Sequence, residues 1–414
     1  NIEMYPKITS KANLGIRAQN LKIYDGTISS PKGHSVIGSI NEIAENSEIK
    51  IENQDTIEKL SLINNLNPAA EINGKEYTTI DAAIENVKNG ETVKLLRNVN
   101  KIGEFNLNGN DFTIDLNTYT LRTFNNDWLF KNSNSLKITD NQENVGTLYN
   151  TSGKLFENNG VLTLDNINLY SADSSSYGHW YNSDGFYRIS DCIISNYNDL
   201  ILNNVNSTLG SVKSSIYNYD TATATINNIT LNNDRNNTTS ITNEGIMTID
   251  SSNINTSMLN SKKTNLNNSH LNNINNSSSG EFVSIKGTID SITNSGVMSL
   301  TDINNKNGIE NSASGILNVY SGNLNSYIYN RSEGTINLYD GTYNGNITNQ
   351  GTGLLNISNG SFKNVENYNG TVNIKGGKFS YVGSNLNYRN GTITIGEKDG
   401  IVDKDLIIIN NGVK

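Results

Sequence analysis

GTINLYDGTY, residues Gly334 to Tyr343, decides how this chain folds. Apolar and polar side chains alternate through Ile336 and Leu338, the pattern breaks at Tyr-Asp-Gly, and an apolar ring returns at Tyr343. The phrase recurs as GLLNISNGSF from Gly353 and GTVNIKGGKF from Gly370. In each copy two apolar positions stand five residues apart: Val319 and Leu324, Leu338 and Tyr343, Ile357 and Phe362, Ile374 and Phe379. Period-two alternation specifies a strand with one buried face, and the Gly, Asn and Asp between the two positions supply the left-handed backbone of a tight corner. A second phrase, apolar-x-Asn before a small or Gly turn, runs in phase with the first. It reads ITN at Ile241 to Asn243, ITN at Ile292 to Asn294, IEN at Ile309 to Asn311, IYN at Ile328 to Asn330, ITN at Ile347 to Asn349 and VEN at Val365 to Asn367. A unit of about 16 to 20 residues is too small to bury its own apolar face and must stack on a neighbour, so it is one coil of a solenoid. Each coil is predicted to run strand, corner, strand, loop, strand, corner.

The five-residue pair continues backwards with less regular spacing, at Leu266 and Leu271, Ile249 and Ile254, Ile226 and Leu231, Ile189 and Ile194, Leu164 and Leu169, and Leu116 and Leu121. Parallel pairing at about 4.8 Å per coil predicts roughly sixteen coils and a rod of about 75 Å. Composition agrees with a rod. The 414 residues are only 35% hydrophobic, and a solenoid needs a thin inward column where a globule of this size needs a broad core. Of these residues 77 are Asn, a bias also seen in disordered tracts, but the phased apolar anchors are not a feature of low-complexity chain.

The net charge of -9 and the lack of a Lys/Arg cluster exclude the electrostatic footprint of a nucleic-acid binder. The one cysteine, Cys192, reads as a buried structural thiol and can form no disulfide within the chain. There is no apolar run long enough to cross a membrane, so membrane insertion is not expected, and the chain, which starts at Asn1, reads like a piece of something longer.

One helix is expected within NGKEYTTIDAAIENVKNGETVKLL, residues 73–96, with Thr78 or Thr79 as cap, Ile80, Ala83, Ile84 and Val87 on one face, and Gly90 at its end. Such a helix suits the open edge of a first coil, which left bare would recruit other chains. Residues 1–72 lie before that cap yet contain LKIYDGTI, with Ile23 and Ile28 five apart around a YDG corner. They read as the closing end of a preceding unit, so the organisation is a tail or junction segment 1–72, a helix-strand cap 73–96 and a solenoid 97–414. GTITIGEKDG from Gly391 begins a coil whose spacing IVDKDLIIINNGVK then breaks.

With YTTIDAAIENVKNGETVKLLRNV followed by coils of the GTINLYDGTY type, the chain resembles the right-handed parallel β-helix repeats of large surface proteins of Gram-positive bacteria, within the pectin-lyase-like architecture. The resemblance implies an all-β right-handed parallel β-helix with an N-terminal helix cap, and right-handedness is also the usual hand of parallel crossovers. It covers most of residues 73–400 and is specific for fold and not for function, because that architecture carries adhesins, structural rods and polysaccharide-cleaving enzymes alike.

Cleaving members of the architecture would carry paired carboxylates, or Ca²⁺-holding Asp clusters with a catalytic Arg or Lys, on neighbouring coils. Here only Asp184 in NSDG, His179 in GHW and Arg188 in YRIS are found, together in one short stretch, and hydrolysis of a glycosidic bond needs two carboxyls flanking it. No catalytic residues, cofactor or metal are therefore assigned. The same stretch, YSADSSSYGHWYNSDGFY from Tyr170 to Tyr187, offers Tyr177, His179, Trp180, Tyr181 and Tyr187 as candidate ligand-binding residues, since aromatic faces stack on sugars and anchor protein contacts. The alternative is that these rings fold back on the side of the rod. Asn243, Asn294, Asn311, Asn330, Asn349 and Asn367 are expected to stack as an internal amide ladder while tolerating the left-handed backbone of the corner. The sequence thus points to a non-enzymatic extracellular or cell-surface rod that contacts its own copies or tandem units head to tail. Surface glycans are the other candidate partner, through a carbohydrate-binding or polysaccharide-cleaving β-helix.

Overall fold

The structure is a computed structural model that describes residues 7–9, 14–23, 26–30, 34–43, 49–53, 57–62, 68–77, 79–101, 104–123, 128–150, 154–171, 193–209, 215–233, 239–380, 382–384, 391–396 and 407–408. From Thr92 onward it is a parallel β-solenoid of about 13 turns. One ladder carries a single strand per turn, from Thr92–Leu95 through Phe112–Asp115 and Ser135–Thr139 to Leu354–Ile357, Thr371–Ile374 and Thr392–Ile395. Its register is unbroken where the sequence repeat is most regular: Ile336 pairs with Leu355, Leu355 with Val372, and Val372 with Ile393. The second sheet takes two segments from each turn, such as Phe156–Asn158 and Asn168–Ser171. Where the connecting loop vanishes the two fuse into one bent strand, as in Asn253–Asn260, His270–Asn276 and Ser361–Asn367, with a register shift at the bend between Ile254 and Ser257.

About 13 turns replace the expected sixteen, which shortens the rod to about 60 Å at 4.8 Å per turn. One of the five-residue pairs is placed differently from its reading. Ile194 lies in the strand Ile194–Asn196, stacked on Phe156, and Ile189, read as its partner across a corner, lies outside the described residues.

Inside, the five-residue spacing is the distance between inward side chains across a corner. Val319, Leu324, Leu338, Tyr343, Ile357, Phe362, Ile374 and Phe379 are all buried. Identical positions on successive turns fall into columns, so rings stack on rings: Tyr343 on Phe362 at 4.6 Å and Phe362 on Phe379 at 4.7 Å, with Phe105, Phe130 and Phe156 doing the same at the other end. Corners in the first half use left-handed Asn at Asn117, Asn166, Asn204, Asn228 and Asn268, whereas later ones use Gly322, Gly341, Gly360 and Gly377. Asn tolerates this region through its short polar side chain, and Gly enters it without a Cβ to collide. Burial also decides titration: Tyr343 is raised far above the usual tyrosine range, while its hydroxyl donates to Asp340 O at 2.8 Å.

The helix is shorter than residues 73–96 and spans Ile80–Asn86. Its cap is Thr79, whose hydroxyl accepts from Ala82 N, and Ile80, Ala83 and Ile84 are buried. Before it, Asn73 and Gly74, both at positive φ, make a two-residue turn between Ala70–Ile72 and Lys75–Tyr77. Asn-Gly favours such a turn because both central residues need φ > 0. After it, Val87 returns to extended backbone, and the amides of Asn108 and Asn110 donate to the carbonyls of Ile84 and Val87 that the helix leaves open. The edge of Thr92–Leu95 is covered by this hairpin, through antiparallel pairing of Ala70 with Leu95, as well as by the helix.

Before residue 68 the chain forms further parallel ladders. Lys7–Thr9, Gly26–Ser30 and Ile49–Asn53 pair in parallel, as do Leu14–Ile23 and His34–Ile43, and Ile57–Leu62 then closes antiparallel on Ile49–Asn53.

Candidate functional site

The most ordered polar feature of the rod runs through its interior. Asn132, Asn158, Asn196, Asn218, Asn243, Asn260, Asn276, Asn294, Asn311, Asn330, Asn349 and Asn367 each end an inward strand segment, and all are buried. Each donates from Nδ2 to Oδ1 of the next, at 2.7–3.0 Å. In-register parallel strands bring identical side chains to the spacing an amide-to-amide bond requires. The column contains all six predicted ladder residues and six that the periodicity missed. None of the twelve has the left-handed backbone predicted for it. The left-handed Asn sit at the other corner, because a ladder residue must be extended to pair along the strand.

The direction of the column is fixed by the backbone around it. Asn330 Nδ2 also donates to Gly334 O at 2.8 Å, Asn311 Nδ2 to Gly315 O at 2.8 Å and Asn367 Nδ2 to Gly370 O at 2.9 Å, while Gly245 N donates to Asn243 Oδ1. A carbonyl on one side and an N–H on the other admit only one orientation of the amide. Every dipole in the column therefore points the same way along the rod. On the outer surface the polarity is reversed, since Asn337 donates to Asn318, Asn356 to Asn337 and Asn373 to Asn356, each back toward the start of the chain.

Where a Gly follows a ladder Asn, as at Gly334, Gly353 and Gly370, it is a matter of space. A Cβ at Gly353 would lie 2.3 Å from Gly334 O and 2.5 Å from Asn330 Nδ2, and one at Gly334 would lie 2.4 Å from Asn311 Nδ2. Asn and Gly thus form one device, in which the absent side chain lets two backbones and an amide meet.

The candidate binding residues Tyr177, His179, Trp180, Tyr181 and Tyr187 lie outside the described residues, as do Asp184, Arg188 and Cys192. The strands on either side of that stretch carry stacked tyrosines. Tyr170, 43% exposed, stacks on Tyr149 at 5.0 Å, and the Arg122 guanidinium lies 4.3 Å from the Tyr149 ring. Tyr197 stacks on Tyr219 at 4.1 Å, Tyr219 on Tyr217 at 4.2 Å, and the Tyr217 hydroxyl donates to Glu244 at 2.6 Å.

The carboxylates of Asp140 and Asp115 serve the backbone. Asp140, fully buried, accepts from the N–H groups of Thr118, Gln142 and Gly146 at 2.7–2.9 Å. Asp115 accepts from Asn117 N, and burial holds its carboxyl above the usual carboxylate range, with the charge of Asp140 adding to the effect. Among the described residues no group of three or more His, Cys, Asp or Glu could hold a metal ion, and no helix is long and apolar enough to cross a membrane. Two hollows stand out. One of about 10 Å³, near the size of a single water, lies in the core against Ser207 and Ser215. The other, about 150 Å³, is a surface recess lined by Asn110, Phe112, Lys131, Asn134 and neighbours, below the roughly 300 Å³ at which small-molecule pockets begin. Comparison with protein-family models, with curated proteins and with solved structures found no match to this chain.

Proposed function

We propose that this chain is a non-enzymatic structural rod of an extracellular or cell-surface assembly, of the kind found in pectin-lyase-like surface proteins of Gram-positive bacteria, and that its units join head to tail. The observation that carries the reading is the order of elements along the chain. Parallel coils before residue 62 are closed by the antiparallel strand Ile57–Leu62, and a hairpin and helix then open a second, longer stack. A closing end followed at once by an opening cap is the arrangement that tandem solenoid units need. Strand edges are templates for another chain, and a joint between unlike ends propagates into a filament where a symmetric one would stop at a dimer. The same joint can form within one chain when units are linked covalently.

Deleting residues 1–67, which leaves the hairpin over Thr92–Leu95 in place, should abolish end-to-end chains seen by electron microscopy of the untruncated chain and leave single rods. Undiminished filaments from the truncated protein would place the joint elsewhere and reject the reading.

A second reading is favoured by the exposed rings of Tyr170 and Tyr197, which bracket the aromatic stretch between them. On that reading the region binds surface glycans. Binding to a glycan array should then be lost in Trp180→Ala with an unchanged melting temperature, and turnover of a polysaccharide abolished by Asp184→Asn would put cleavage ahead of both readings.

A further inference from the structure

Three pairs of tyrosines stack at equivalent positions on neighbouring turns, and besides Tyr149 with Tyr170, whose planes are 21° apart, two pairs lie closer to face to face. Tyr320 and Tyr339 follow the paired inward residues Val319 and Leu338, and Tyr339 N donates to Val319 O, so the ladder itself fixes their register. Their centroids are 4.8 Å apart and their planes 6° apart, at 45% and 41% exposure. Tyr197 and Tyr219 lie 4.1 Å apart at 14°, held by a bond from Tyr219 N to Asn196 O. In the column of Tyr320 and Tyr339 the adjoining turns carry the small residues Thr301 and Ser358.

This arrangement suits one reaction of phenols. Loss of a hydrogen atom leaves a phenoxyl radical whose unpaired electron is shared by the oxygen and the two ring carbons beside it. Two such radicals join through those carbons, forming one C–C bond. Each joined carbon then gives up its hydrogen, which returns to the phenol oxygen as the ring regains aromaticity. The pair ends two hydrogens lighter, and a peroxide that accepts those two hydrogens is reduced to water. Rings already in contact react as an intramolecular pair, which favours them strongly over rings that must meet by diffusion.

We propose that Tyr320 with Tyr339, and likewise Tyr197 with Tyr219, are oxidative coupling sites at which a peroxide-dependent reaction forms dityrosine and staples neighbouring turns covalently. The coupling does not depend on whether units join end to end. Tyr343 serves as an internal reference: 1% exposed, stacked on Phe362 and bonded to Asp340 O, it is shielded from an oxidant.

The full chain, dilute, is treated with hydrogen peroxide and a haem peroxidase, then run on a denaturing gel and digested for mass spectrometry. Dityrosine fluorescence is expected in the band of the single chain, with a linked peptide joining Tyr320 to Tyr339 two hydrogens lighter than its parts, and Tyr343 recovered unmodified. Tyr320→Phe and Tyr339→Phe keep a ring in the stack and so the fold. Each should abolish that linked peptide while leaving the one joining Tyr197 to Tyr219. The treated wild type should also melt higher than treated Tyr320→Phe. Recovery of Tyr320 and Tyr339 in unlinked peptides while dityrosine forms at other positions, or links found only between chains, would overturn the proposal.

Discussion

Asn330→Leu should destabilise the rod by about 2–5 kcal/mol, because a buried amide oxygen loses its donor, at about 1–3 kcal/mol, and a branched side chain overpacks the turn, at about 1–3 kcal/mol more. Asn330 accepts from Asn311 Nδ2 and donates to Asn349 Oδ1 and Gly334 O. Leucine supplies no donor or acceptor, so the side-chain oxygen of Asn349 is stranded in the core, Gly334 O is left with Leu354 N alone, and the amide of Asn311 keeps only backbone acceptors. The branched side chain would also press on Gly334 and Gly353, whose places next to the ladder are open only to a hydrogen. Asn344 gives the contrast. It is exposed and makes one side-chain bond, to Asn325 Oδ1, so Asn344→Leu should stay within about 0.5 kcal/mol of wild type. Thermal melts of the two variants decide the matter, and equal midpoints would sink the ladder as a source of stability.

Gly353→Ala should cost as much through a single methyl. The new carbon would fall 2.3 Å from Gly334 O, 2.5 Å from Asn330 Nδ2 and 2.8 Å from Ser332 O. Two of these are backbone atoms of the turn below, so relief requires the turns to part and the amide bonds beside them to lengthen. Overpacking of a tight core costs about 1–3 kcal/mol or more, and here the upper end is expected. Gly74→Ala separates crowding from conformation. Its Cβ would meet nothing within 4 Å, but its φ is +81°, so only the left-handed penalty of about 1–2 kcal/mol remains. A Gly353→Ala protein that melts no lower than Gly74→Ala would show that the turns are not packed this closely.

The fold was most legible where the chain keeps the rhythm of its neighbours. Between Asn294 and Asn367 successive ladder residues are 17 to 19 apart, and both the phrase and its inward partners could be followed by eye. Earlier the steps are 26, 38, 22 and 25 residues, because loops of unequal length hang between strands that still stack in register. The signal for the missed half of the ladder was present all the same, as FKN at Phe130–Asn132, FEN at Phe156–Asn158, ISN at Ile194–Asn196 and IYN at Ile216–Asn218, and also as MLN at Met258–Asn260 and INN at Ile274–Asn276, where the steps are a regular 16 to 18. Inward polar residues hid other turns. Ser207 takes the place of leucine in the column of Leu169 and Leu231, beside the small hollow, and its hydroxyl turns back to Thr230 O. Asn305 breaks the same column, yet its amide is satisfied by Ile289 O, Asp290 O and Gly308. Residue type alone reads both as outward.

The hairpin at Asn73 and Gly74 was legible in principle, since Asn-Gly between short alternating stretches is a turn signal, but the amphipathic pattern that follows drew the whole segment into one helix. The candidate binding residues were singled out by aromatic content and by their break with the coil period. Stacking constrains residues that repeat, and it says nothing about a loop that interrupts the repeat. That is why the rod could be read from the sequence and its partners could not.

A double-mutant cycle on adjacent rungs tests the amide column most directly. Asn311→Ala, Asn330→Ala and the double variant are compared by denaturant unfolding, beside the same cycle on Asn243 and Asn330, which share no bond. A continuous hydrogen-bonded column predicts a coupling of about 0.5–3 kcal/mol between Asn311 and Asn330 and none beyond about 0.5 kcal/mol for the distant pair. If the two adjacent substitutions add as simply as the distant ones, the amides are neighbours without being a ladder, and the claim that they hold the turns in register is wrong.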